Sequence, residues 1–94
     1  MEVRERAGTD GIEVWLRQGT MGIDCDVVFK DETTDKLDVD SFSMRGAQRE
    51  MTGWLLSTDF KALGRWEMTD DNGRECVRRF LPVKRPAHDD LSGR

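Results

Sequence analysis

Between residues 12 and 29, apolar and polar positions alternate with a period of two. Ile12, Val14 and Leu16 are interleaved with Glu13, Trp15 and Arg17; Ile23, Cys25, Val27 and Phe29 are interleaved with Asp24, Asp26, Val28 and Lys30. A strand sends successive side chains to opposite faces, so this spacing predicts two half-buried strands joined at Gly19-Thr20-Met21-Gly22 as a hairpin. Leu37 and Val39 alternate again after the polar turn at 31–35, which predicts a short third strand or an extended edge.

The period then changes. Ser43 stands where a helix N-cap would, with Phe42 placed to staple against Ala47. At 100° per residue, Met44, Ala47, Met51, Trp54 and Leu55 share one arc, which predicts a helix of about four turns ending near Ser57. Alternation resumes at 64–69, turns at Asp70-Asp71-Asn72-Gly73 and returns through 74–81. A two-residue Asn72-Gly73 turn would set Glu67 opposite Arg78, Arg65 opposite Phe80, Met68 opposite Val77 and Trp66 opposite Arg79.

The predicted fold is therefore α+β: an antiparallel sheet of four to five strands with one helix packed on one face, in the order β-β-(β)-α-β-β. With 94 residues the chain suits one core. Residues 1–11 read as a mobile arm, 12–81 as the domain, and 82–94, with Pro82 and Pro86, as a flexible tail.

Charge modifies this picture by being polarised. The formal net charge is −4; five basic and eleven acidic residues before Arg45 leave −6, whereas ten basic and eight acidic residues from Arg45 onward leave +2. An acidic balance disfavours indiscriminate binding to nucleic acid or anionic membrane, while a local basic face in the second half stays open. No stretch approaches the roughly 18 apolar residues of a membrane span and the N-terminus lacks a signal-like apolar segment, so a cytoplasmic location is expected. Cys25 and Cys76 read as reduced core thiols.

Candidate chemistry is sparse. The sole histidine, His88, lies in the predicted tail, so nucleophile–base arrangements lack a base, and two separated cysteines do not make a zinc site. No glycine-rich phosphate loop is present. The pairs Asp24 with Asp26 and Asp38 with Asp40 each share a strand face, where solvated carboxylates discourage edge-to-edge pairing. The expectation is a protein without catalytic residues, metal, cofactor or small-molecule substrate.

Two surfaces remain. The helix face away from the core presents Gly46 and Gly53 among Arg45, Gln48, Arg49 and Thr52, where glycines would admit another backbone and Arg45 could receive an anion. The sheet face away from the core is expected to carry Trp15, Val28, Cys76 and Phe80 among Arg17, Lys30, Arg65 and Arg78. Arg45, Gln48, Arg49, Arg65, Arg78 and Arg79 could alternatively track phosphates, although Glu67, Asp70, Asp71 and Glu75 interrupt them.

The stretch Ser41-Phe42-Ser43-Met44-Arg45-Gly46-Ala47-Gln48-Arg49-Glu50, together with Gly64-Arg65-Trp66-Glu67 and Arg78-Arg79-Phe80, resembles small uncharacterised proteins of actinomycete bacteria. That resemblance implies a bacterial cytoplasmic setting and no particular activity. The leading expectation is an interaction or regulatory module that self-associates as a homodimer or binds a partner protein. A nucleic-acid-associated protein is the alternative.

Overall fold

A computed structural model describes residues 3–83. The short helix α1 (Val3–Ala7) leads into β1 (Ile12–Gln18), β2 (Ile23–Val28) and β3 (Thr34–Leu37); then α2 (Met44–Ser57), β4 (Phe60–Met68) and β5 (Glu75–Pro82) follow. All five strands form one antiparallel sheet in the order β3-β2-β1-β5-β4. The fold class, and the element order from β1 onward, are those the periodicities predict.

The inner face is apolar because alternation delivers one side of each strand to the helix. Val14, Leu16, Val27, Cys76 and Phe80 are fully enclosed there, with Ile12, Cys25 and Phe60 nearly so, against Ala47, Met51 and Leu55 of α2. Each fully buried aliphatic side chain of this size contributes about 1.5–3 kcal/mol, and the summed burial holds α2 down. The helix begins as its sequence dictates: Ser43 Oγ accepts the Gly46 N–H at 3.0 Å. It ends where Thr58 returns both its N–H and its hydroxyl to the Leu55 carbonyl.

Several expectations are corrected. Residues 3–7, read as part of a mobile arm, are helical, and Val3 and Ala7 are buried against the core. Arg4 ties this segment down by donating to the Gly8 carbonyl at 2.7 Å and the Val83 carbonyl at 3.1 Å. Arg6 lies over the Phe29 ring at 4.3 Å. Five residues carry too little periodicity to announce such a turn, and its anchors are arginines, which sequence patterning assigns to solvent.

Phe42 is 81% exposed and makes no staple, and Trp54, placed on the buried arc, is 39% exposed at its rim. β5 also continues through Pro82, opposite Phe60 of the edge strand β4. The rest of the predicted tail, residues 84–94 with His88, lies outside the described residues.

The second hairpin departs most. Its turn spans Asp70 to Arg74, closed by Thr69 N–H on the Glu75 carbonyl and by Asp70 Oδ1 accepting from Arg74 and Glu75 N–H groups. Glu67 therefore opposes Val77 and Met68 opposes Cys76. Nearer the start of β4 the register shifts, with Leu63 opposite Arg79. Three residues of β4, Gly64 to Trp66, thus stand against one of β5, Arg78, and Gly64, at φ 60°, supplies the left-handed conformation within the bulge.

Candidate functional site

α2 covers the inner face of the sheet, and no described element packs across the outer one. The registers place its side chains in rows. Lys36, Asp26, Trp15, Val77 and Glu67 form the central row; Val28, Glu13, Arg79 and Leu63 form the next on one side; Asp24, Arg17 and Glu75 form the next on the other. Trp15, Val28 and Val77 are half-buried and Leu63 is exposed. Trp15 donates its indole N–H to Glu13 Oε1 at 3.2 Å.

Charged side chains bracket this apolar centre and pair across the strands. Arg17 bridges Glu75 at 3.4 Å and Asp26 at 3.8 Å, and Lys36 reaches Asp26 at 3.3 Å. Exposed pairs of this kind contribute at most about 1 kcal/mol each, so they organise the face more than they stabilise the fold. Of the acidic pair, Asp26 is held between two cations, while Asp24 stands opposite Arg17 in the register.

The expected outer-face residues divide. Trp15, Val28 and Arg17 lie there as anticipated. Cys76 and Phe80 do not: both are inner-face residues with 0% exposure. β5 presents Cys76, Arg78 and Phe80 on one parity and Val77, Arg79 and Leu81 on the other, an even division of apolar residues with an arginine in each. Parity alone cannot orient it.

The inner orientation prevails because Arg78 is accommodated at the flank of α2. It donates to the Gly64 carbonyl at 2.6 Å and to Thr52 Oγ1 at 3.4 Å, and lies over the Phe80 ring at 5.8 Å. Trp66 adds a 2.9 Å hydrogen bond to the same hydroxyl and an edge-to-face contact with Phe80. Arg78 and Trp66 thus clasp the helix to the bulged hairpin.

The helix-face candidates are also separated by the structure. A Cβ on Gly46 would stand 2.9 Å from Ser43 Oγ, the capping atom, and 3.1 Å from Ser41, so a local close approach accounts for this glycine. Gly53 faces open space. Gln48 is half-buried and donates to Cys76 Sγ at 3.4 Å. Arg45 and Arg49 are exposed on α2, Arg65 is exposed in the bulge, and Arg79 lies on the opposite face of the sheet from Arg78. These basic residues are distributed over both sides of the molecule.

Among the described residues no group of three or more histidine, cysteine, aspartate or glutamate side chains converges. Burial pushes the Cys25 thiol up to about 12, with the Asp26 charge adding to the effect, and burial also raises Cys76. Glu50 accepts from the Asp40 and Ser41 N–H groups and the Ser41 hydroxyl, which together hold its carboxyl below the ordinary range and pin the β3–α2 connection.

Val77, Glu13 and Glu75 complete the outer face and were not among the candidate residues. For Val77 and Glu75 the signal was the parity of β5, legible only once the loop length was known, whereas Glu13 shares the alternation of Trp15 in β1. No helix among the described residues is long and apolar enough to cross a membrane. No family model matches the chain, no curated protein is significantly similar to it, and no solved structure matches it.

Proposed function

We propose that this chain is a non-enzymatic protein-interaction module, and that its working surface is the outer face of the sheet. The observation carrying this reading is the Trp15–Val77 pair at the centre of a face that no described element covers. A half-buried tryptophan there gains little stability for the fold, because its neighbours are Glu13, Arg17, Asp26 and the single apolar Val77 rather than a core. Its apolar area is recovered on association, and a tryptophan ringed by charged residues is the composition of an interface centre within a polar rim.

Nucleic-acid binding through Arg45, Gln48, Arg49, Arg65, Arg78 and Arg79 draws less support. Arg78 directs its two terminal guanidinium nitrogens to Thr52 and Gly64, Gln48 is turned toward Cys76, and Arg79 faces away from the helix. A phosphate-tracking site needs such groups along one groove.

Photo-crosslinking side chains introduced separately at Val77 and Gly53 test the proposal in native lysate. Protein adducts are expected from Val77, lost on adding Trp15→Arg, with little from Gly53. Equal yields from both positions, adducts indifferent to Trp15→Arg, or adducts to nucleic acid would overturn it.

A further inference from the structure

We infer that the protein partner this face fits is a second copy of the chain, packed face to face about a two-fold axis along the Trp15–Val77 row; the inference rests on the interaction role proposed above. The ground for it is the order of charges about that row. On β1, Glu13 and Arg17 stand two residues to either side of Trp15; on β5, Arg79 and Glu75 stand two residues to either side of Val77. Along each strand, therefore, the sign of the charge inverts across the row.

An isologous interface requires that whatever residue i meets as j, j meets as i. Rotation by 180° about the Trp15–Val77 row carries each end of the face onto the other. Glu13 then faces Arg17 of the second copy, and Arg79 faces its Glu75, each pairing occurring twice. Trp15 and Val77 lie on the axis and meet their own counterparts, forming an apolar centre. Lys36, Asp26 and Glu67 share this row and meet their counterparts too. Asp26 is neutralised by Arg17 and Lys36 at 3.8 and 3.3 Å. The exposed Lys36 and Glu67 stand on the edge strands at the two ends of the row, away from the apolar centre.

An axis parallel to β1 and lying over it would set Glu13 against Glu13 and Arg17 against Arg17, which like charges disfavour; one midway between β1 and β5 would set Glu13 against Arg79 and Arg17 against Glu75. Only the axis along the row makes Glu13 and Arg17 of two copies partners. Five strands at about 4.8 Å spacing and β1 at about 3.4 Å per residue make a face near the lower end of a standard interface.

The orientation makes an unusual demand on mixing. Glu13→Arg alone places cations against Arg17 of an identical copy, and Arg17→Glu alone places anions against Glu13; each should weaken self-association at least tenfold. An equimolar mixture of the two variants restores both cross-pairs, so sedimentation equilibrium should show heterodimers at close to wild-type affinity. Circular dichroism establishes that each variant is folded.

A wild-type protein that stays monomeric to millimolar concentration, single variants that dimerise as wild type does, or a mixture no tighter than either alone would overturn the inference. If the protein is monomeric while the Val77 adducts still depend on Trp15, the second copy is excluded and the interaction role survives. If both signals are missing, the two fall together.

Discussion

The two faces of the sheet are built from the same strands and spend their side chains differently. On the inner face, Leu16 stands between Cys25 and Cys76 in the registers, and all three are sealed beneath α2. One residue along, Trp15 stands between Asp26 and Val77 and keeps part of its ring in contact with solvent. The inner row derives its stability from apolar area removed from water; the outer row consists of an aromatic and weak ion pairs that leave its area to be removed by something else. A shared backbone thus separates residues that maintain the fold from residues left partly exposed.

The contrast breaks hardest at the core. Leu16→Ala should destabilise by about 2–5 kcal/mol, the cost of lost burial plus a cavity beneath the helix, read from the urea midpoint at unchanged m-value. At the flank, Thr52→Ala removes the acceptor shared by Trp66 and Arg78. A cost of about 1–3 kcal/mol is expected, because partly buried donors then lack a partner. A loss well under 1 kcal/mol would mean the clasp is incidental to helix docking.

These interactions explain what the sequence disclosed and what it withheld. β1, β2 and α2 were legible because each repeats one period over enough residues, and Ser43 marked the helix start by its own chemistry. The second hairpin was misregistered because Asn72-Gly73 is a strong turn signal, whereas Asp70 uses its carboxylate to close a longer loop and Gly64 absorbs extra residues in a bulge. Phe80 was consequently assigned to the wrong face, since β5 offers apolar residues on both parities. Val3 and Ala7 were missed because a five-residue helix has no repeat to detect. Of the outer face, Trp15 and Val28 were visible from β1 and β2, while Val77 depended on the misread register.

Smaller effects should appear in the polar connections and the thiols. Glu50 is held below its ordinary pKa by N–H and O–H donors, so its contribution is complete above the unfolded value of about 4.3 and fades as pH falls through the lower folded value. Glu50→Gln should therefore be less stable than wild type at neutral pH, with the difference shrinking below about pH 4; a difference independent of pH would contradict the role given to its charge. Cys25 and Cys76, buried with raised pKa values, should resist a disulfide reagent at pH 8 until urea opens the fold. Rapid labelling of the native protein would show that the inner face opens locally.

The smallest effect on stability belongs to Trp15→Arg, expected within about 1 kcal/mol of wild type because the outer face holds no core. Its effect on binding should be the largest. The decisive measurement is the self-association constant of Trp15→Arg by sedimentation equilibrium, on protein whose urea midpoint shows it to be folded. A folded variant with association lost is the predicted result. A folded variant that associates like wild type would contradict the assignment of the outer face as the working surface.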